Sequence, residues 1–483
     1  MLPARMLLRF SAGALLRLAL FENSIMFVPS GPRIAPVALS MSRLATAIVL
    51  GSFAIGANAQ THGAFDTSAD SPFMLGDWNG ARTDLEDKGV ALSFDYVGEI
   101  GSNLGGGYDH SRTARYSDQY ALGAHFDLQR LLGWNDAVFQ FTVADRNGDN
   151  ISRDRVGDPR VGTLSSSQEV WGRGSHWRMT QLYFQQSYFD KRLDIKAGRF
   201  GEGEDFNSFD CDFQNLTFCG SQVGNWTSIW YNWPVTQWAL RTKYQFTSSV
   251  YGQVGIYEQN PSNTENRNGF KLSGSGTQGA VIPVELVWTP VIDEMPGTYR
   301  AGYYYSTASA KDALKDRNGD PAAFTGQAYR SASSQHGFWV GAQQQVTRHA
   351  DDASRGLNLF FMGTLHDKKT NRIDHYASAG AVYKGLFDAR PLDDIGLAVS
   401  LIHVNPAFRK NVAYANEANG VFDYSDPAYL PVQDTEYNAE LNYGIHVARW
   451  LTLRPNLQYI RHPGGVSRVD DAWVGGLKVL ASF

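Results

Sequence analysis

The side chains of this chain best suited to chemistry crowd around one stretch. Glu202, Glu204, Asp205, Asp210 and Asp212 follow one another closely, and the only two cysteines, Cys211 and Cys219, stand beside them. Lys196 and Arg199 precede the stretch, and Arg241 and Lys243 follow it. Ammonium and guanidinium groups only donate hydrogen bonds, and carboxylates only accept them. A mixture of both grips a neutral, hydroxyl-rich molecule without favouring either ion sign. Trp171 and Trp226 are candidate aromatic covers for the apolar side of such a molecule, although packing the loop is the plainer role for each. The candidate binding and constriction set is therefore Lys196, Arg199, Glu202, Glu204, Asp205, Arg241, Lys243, Trp171 and Trp226. A second chemistry, glycoside hydrolysis, needs two acids such as Glu202 and Glu204. An acid-rich loop over a pore has the same composition, and we favour that reading.

Other catalytic patterns are missing from the sequence. The eleven histidines are scattered, no two closer than nine positions, and there is no H-E-x-x-H, G-x-S-x-G or Walker A motif. No enzyme, metal or cofactor is expected. D-R-N-G-D occurs at 145–149 and again at 316–320, but Val156 and Gln327 stand where a calcium loop needs its Glu. Both copies are read as turns.

The elements that must position these residues begin after an export signal. In 41–60, Arg43, the apolar Leu44–Ile55 and the small-x-small site Ala57–Ala59 occur in signal-peptide order, with cleavage before Gln60. Residues 1–40 read as a mis-called extension ahead of a true start at Met41. The division is thus a leader over 1–59, a short N-terminal segment over 60–89 and a main body over 90–483. Export places the chain in an oxidising compartment, where Cys211 and Cys219 are expected to form one local disulfide.

From Val90 onward apolar residues alternate with period two. Sixteen segments repeat the pattern, near 90–100, 117–128, 136–145, 177–189, 192–200, 237–247, 250–258, 279–289, 297–306, 336–347, 356–366, 374–384, 395–404, 433–447, 451–461 and 471–483. Trp238, Leu240, Tyr244 and Phe246 share one face of their segment, and Arg241, Lys243 and Gln245 the other. A soluble sandwich alternates too, so the side facing inward is decided by other features. Connections alternate long and short through the first nine segments and break the rule near 367–395. Tyr and Trp gather at segment ends, and the chain closes with alternate apolar residues at Phe483. These features fit an all-β, sixteen-stranded antiparallel transmembrane barrel with short periplasmic turns and long external loops. Past residue 60 no run of 18 apolar residues exists, which excludes a helical membrane bundle. The net charge of −5 argues against nucleic acid.

G-D-W-N-G-A-R-T-D-L-E-D-K-G-V (76–90), K-A-G-R-F (196–200), C-D-F-Q-N-L-T-F-C-G (211–220) and Y-E-Q-N-P (257–261) resemble segments of the carbohydrate-selective, OprB-like porins. The resemblance implies an outer-membrane channel for sugars such as monosaccharides. By likeness to porins it also implies a third external loop, 201–236, folded into the lumen. Expected partners are small neutral sugars, outer-membrane lipid and lipopolysaccharide, and the barrel assembly machinery reading Phe483, in a monomer or homotrimer. Two alternatives stand beside it, a general or anion-preferring porin and an exported soluble sugar-binding or sugar-hydrolysing β protein. Lys196, Arg199, Arg241, Lys243, Arg300 and Arg454 keep the anion reading open.

Overall fold

A computed structural model describes residues 68–349 and 352–483. The leader, its cleavage site and residues 60–67 lie outside the described residues. The sixteen main strands are β1 Val90–Gly107, β2 Ala114–Asp127, β3 Ala137–Gly148, β4 Arg178–Tyr188, β5 Leu193–Phe200, β6 Gln237–Gln245, β7 Val250–Gln259 and β8 Gly279–Trp288, then β9 Met295–Ser306, β10 Gln335–Gln345, β11 Gly356–His366, β12 Ile373–Lys384, β13 Asp394–Val404, β14 Thr435–Ala448, β15 Leu451–Arg461 and β16 Asp470–Ser482. Each pairs antiparallel with the next, and β1 pairs with β16 in a register running from Asp95↔Ser482 to Gly107↔Asp470. The sheet is closed, so no edge strand is left to recruit another chain.

The alternation runs inside out relative to a soluble protein. On β13, Leu397 and Val399 are each 54% exposed while Ala398 and Ile402 are buried. On β14, Tyr437 and Leu441 face out while Glu436, Asn438, Glu440 and Asn442 are buried. Each exposed Leu or Val would gain about 1.5–3 kcal/mol by leaving water, so the outer wall needs a hydrocarbon solvent. The charged side chains face a lumen.

Connections sort by rim. One rim carries turns at 128–136, 189–192, 246–249, 289–294, 346–355, 385–393 and 449–450; the other carries loops at 108–113, 149–177, 201–236, 260–278, 307–334, 367–372, 405–434 and 462–469. The sequence placed a long gap after the first strand. Instead β1 continues through Gly105, Gly106 and Gly107, where side-chain periodicity vanishes but pairing to β16 persists with two register shifts. The break near 367–395 is real, because 367–372 is a short connection on the long-loop rim and 385–393 on the turn rim is longer.

At the turn rim the chain ends are latched. A helix, α1 (Ala81–Asp87), ends before Gly89, whose φ of 95° and a would-be Cβ 2.9 Å from the Asp127 carbonyl leave room only for glycine. Arg82 lies 3.7 Å from the Phe73 ring centroid and 4.4 Å from that of Trp78, and donates to the Phe483 carbonyl at 2.7 Å. Phe483 stacks on Phe94 at 4.6 Å, and its N–H bonds the Phe94 carbonyl.

Two loops fill the lumen. From loop 3 (201–236), Phe206, Val223 and Trp230 pack against Tyr257, Val281, Tyr304 and Trp339 of the wall. From loop 2 (149–177), Ile151 and Val156 pack against Ile460, Ala472 and Val474. The second D-R-N-G-D is a turn, as expected: Asp316 Oδ1 accepts from the N–H groups of Asn318, Gly319 and Asp320 at 2.9–3.0 Å. The first is not, because Asp145–Gly148 continue strand β3.

Candidate functional site

Loop 3 leaves β5 through Gly201 and turns at once in a short 3-10 helix, Glu202–Glu204. The turn points Glu204 and Asp205 back at the wall they came from. Lys196 Nζ lies 3.1 Å from Glu204 Oε2 and 3.1 Å from Asp205 Oδ2. The register pairs Lys196 with Arg241 on β6, so both cations face the same patch of lumen. Arg241 bonds Asp194 and reaches Asp205 Oδ1 at 3.4 Å. Gln181 donates to Glu204 at 2.9 Å, and the Tyr183 ring lies 4.3 Å from Lys196 Nζ. Two cations thus meet three carboxylates, interleaved and roofed by aromatic rings, a weakly acidic patch of alternating donors and acceptors. The Glu204 and Asp205 side chains retain 17% and 13% exposure, so part of each carboxylate still meets solvent.

The tip of the loop is held differently. The backbone N–H groups of Gln214 and Asn215 donate to the Glu440 carboxylate at 2.9 and 2.7 Å. Asn215 Nδ2 donates to Gln458, and the Gln214 side chain bonds the Ile100 and Ser167 carbonyls and takes a bond from Asn456. Phe213 and Phe218 pack on Phe360, Val382 and Ala398. The expected disulfide Cys211–Cys219 is present and closes this tip. A loop rooted on β5 therefore reaches β11–β16, crossing the lumen.

The wall it reaches is charged as well. Lys478 on β16 lies 3.1 Å from Glu169 of loop 2 and 3.6 Å from Glu99. Arg454 on β15 pairs with Asp394 and lies 3.8 Å from Asp212 of loop 3. Asp194, Glu99, Asp394 and Lys478 were not singled out from sequence. Strand parity was the available signal: Asp194 stands two residues before Lys196, and Lys478 is the one charge between Leu477 and Val479.

The nine expected site residues divide. The structure brings Lys196, Glu204, Asp205 and Arg241 together. Lys243 shares the inward face of β6, with Nζ 5.5 Å from the Tyr251 ring centroid. Arg199 does not join them. Its register partner is Trp238, on the outward face with Leu240 and Tyr244, and its guanidinium lies 5.9 Å from the Trp238 ring centroid and donates to the Thr236 carbonyl. It stands three positions beyond Lys196, an odd step, so parity puts it on the other side of the wall. Glu202 is fully buried, accepting from the Tyr231 N–H at 2.9 Å and from Gln237. Burial pushes its carboxyl up to about 8. Trp226 is buried against Tyr376, Met362 and Ile402, so it packs the loop. Trp171 sits half-buried in loop 2 under Arg153, at 5.3 Å.

The profile of the Carbohydrate-selective porin, OprB family matches residues 111–483, most of the chain. This chain belongs to that family. It forms an outer-membrane β-barrel channel selective for carbohydrates. It is 60% identical over 433 residues to Porin B of Pseudomonas aeruginosa, covering 89% of this chain and 95% of that protein. The high-pH structure of Pseudomonas putida OprB superposes with a TM-score of 0.86 at 60% identity, over 86% of this chain and all of the other. The low-pH structure of that protein gives 0.56 at 42% identity over the same 86% and the whole of the other. In the porin the turn rim faces the periplasm and the long-loop rim the exterior.

Proposed function

We propose that sugars are recognised where the root of loop 3 faces β5 and β6, on Lys196, Glu204, Asp205 and Arg241, with Lys243 and the Tyr183 ring at the margin. The observation that carries this is the interleaving of cations and carboxylates on one lumen patch, with the acids still touching solvent. A sugar hydroxyl both donates and accepts, so it can lie between Lys196 and Glu204 and recover the bonds it loses with water. Neither ion sign gains as much, because each meets its own charge close by. Glu202 and Trp226 support the loop from behind, and Arg199 belongs to the outer wall.

Passage is by diffusion, and no bond is made or broken. Binding must stay weak for flux to continue, near millimolar, or about −4 kcal/mol. Outer-membrane lipid and lipopolysaccharide cover the apolar outer wall, and the assembly machinery reads the Phe483 strand before Arg82 latches it. The test is a planar-bilayer recording with mono- and disaccharides added. Block of the ion current at millimolar sugar, lost when Glu204 is replaced by Gln, supports the site. Block that survives Glu204→Gln and Asp205→Asn together places recognition elsewhere.

A further inference from the structure

His375 and His403 are far apart in sequence but directly opposite on β12 and β13. Their rings stack, with centroids 4.4 Å apart and planes 22° from parallel. Between Ile373 and His375 the register slips, which makes Asp374 the extra residue of a bulge. Bulges re-aim side chains, and here the carboxylate turns onto the histidines. Asp374 Oδ1 lies 2.9 Å from His375 Nδ1 and 2.6 Å from His403 Nδ1. Asp374 is 3% exposed. On the far side of His403, Nε2 faces Asp434 Oδ1 at 3.6 Å, and Asp434 is itself held by Arg409. Lys368 approaches only the other oxygen of Asp374, Oδ2, at 3.7 Å, on an exposed side chain.

We propose that Asp374, His375 and His403 form a binding site for a borderline transition-metal dication, with Zn²⁺ the expected ion, at the external end of the barrel wall. Their three ligand atoms lie within 4.8 Å of one another, and among the described residues no other group of this kind is so close. Bonds of about 2.0–2.2 Å to two nitrogens and one oxygen require these atoms to part by less than about 1 Å. Binding moves one proton on each neutral imidazole from Nδ1 to Nε2, so none is released. Asp434 accepts the new Nε2–H of His403, the outer-shell carboxylate that a ligating histidine normally has. Two imidazoles and one carboxylate suit Zn²⁺ or Cu²⁺, whereas Mg²⁺ and Ca²⁺ prefer oxygen-only sites. Three protein ligands leave the fourth position open. The site ties the start of β12, where loop 6 (367–372) ends, to the end of β13, where loop 7 (405–434) begins, and through Asp434 it reaches the return of loop 7.

The test uses the full-length porin in detergent, stripped with chelator and dialysed against ZnCl₂. The proposal expects one Zn²⁺ per chain and the visible absorption of a four-coordinate ion when Co²⁺ replaces it. The double variant His375→Ala/His403→Ala should lose both signals while keeping its heat-shifted gel mobility and sugar flux, because the site lies outside the lumen. His403→Gln serves if the double variant does not fold. Asp434→Asn, which keeps the ligands, should weaken binding about tenfold or more. No stoichiometric Zn²⁺ in the parent porin, or equal binding in the histidine variants, overturns the proposal. Unchanged affinity in Asp434→Asn removes Asp434 from the site.

Discussion

The root and the tip of loop 3 are fastened by opposite means. At the root, Glu204 and Asp205 meet Lys196 and Arg241 across a gap that still touches solvent. At the tip, the backbone of Gln214 and Asn215 is seated on one buried carboxylate, Glu440, with amide side chains satisfying the rest. The cations of the root are buried, but Glu204 and Asp205 keep 17% and 13% of their side chains exposed, so each carboxylate has a face open to solvent. Buried charge-assisted bonds are costly to break. The tip therefore fixes where the loop lies, and in the proposed site the root trades its bonds with a solute. A porin needs both, because a constriction must hold its size while its surface stays exchangeable.

The contrast breaks first at Glu440. Glu440→Ala orphans two buried N–H groups and should cost about 2–6 kcal/mol in the seating of the loop. Single-channel conductance is expected to rise severalfold, with sugar block lost; Glu440→Gln, which keeps an acceptor, should lie between. Unchanged conductance in Glu440→Ala would show that the tip is held by its apolar packing alone. The double replacement Cys211→Ser/Cys219→Ser comes next. A loop this short is worth about 2–3 kcal/mol when closed, so the barrel should stay heat-modifiable while recordings show a noisier open level.

A smaller effect follows from Glu202. Its carboxyl is held near 8 by burial, above the usual glutamate value. Because the folded-state value is the higher one, its contribution to stability is complete at acidic pH and is lost as pH rises through about 8. Amide exchange at Tyr231, whose N–H it receives, should gain protection loss with pH beyond the intrinsic rate increase, and Glu202→Gln should flatten that excess. An identical profile in the variant would mean the carboxyl is already ionised and satisfied.

The comparison also shows what the sequence carried. Period two placed all sixteen strands, and it set Arg241 and Lys243 against Leu240 and Tyr244, because a closed wall between lipid and water allows no other alternation. The same parity separates Arg199 from Lys196; proximity in sequence to Lys196 and Glu202 obscured this. The acids of loop 3 all look alike in sequence, yet one is buried, two face the wall and Asp212 reaches Arg454 on the far side. That sorting depends on where a loop without periodicity turns. The glycines at 105–107 hid the end of β1 for the same reason: a residue without a side chain shows no face. His375 and His403 were scattered in the sequence, and only the β12–β13 register joins them.

The most direct test compares two cations only three positions apart, Lys196 and Arg199, in one recording of sugar block. Lys196→Met should leave Glu204 without its cation and Asp205 with Arg241 alone, and weaken the block about tenfold, about 1.4 kcal/mol, with ion conductance changed much less. Arg199→Met, on the outer wall beside Trp238, should leave the block as it was. A block insensitive to Lys196→Met but lost in Arg199→Met would contradict the assignment of the sugar site to the root of loop 3.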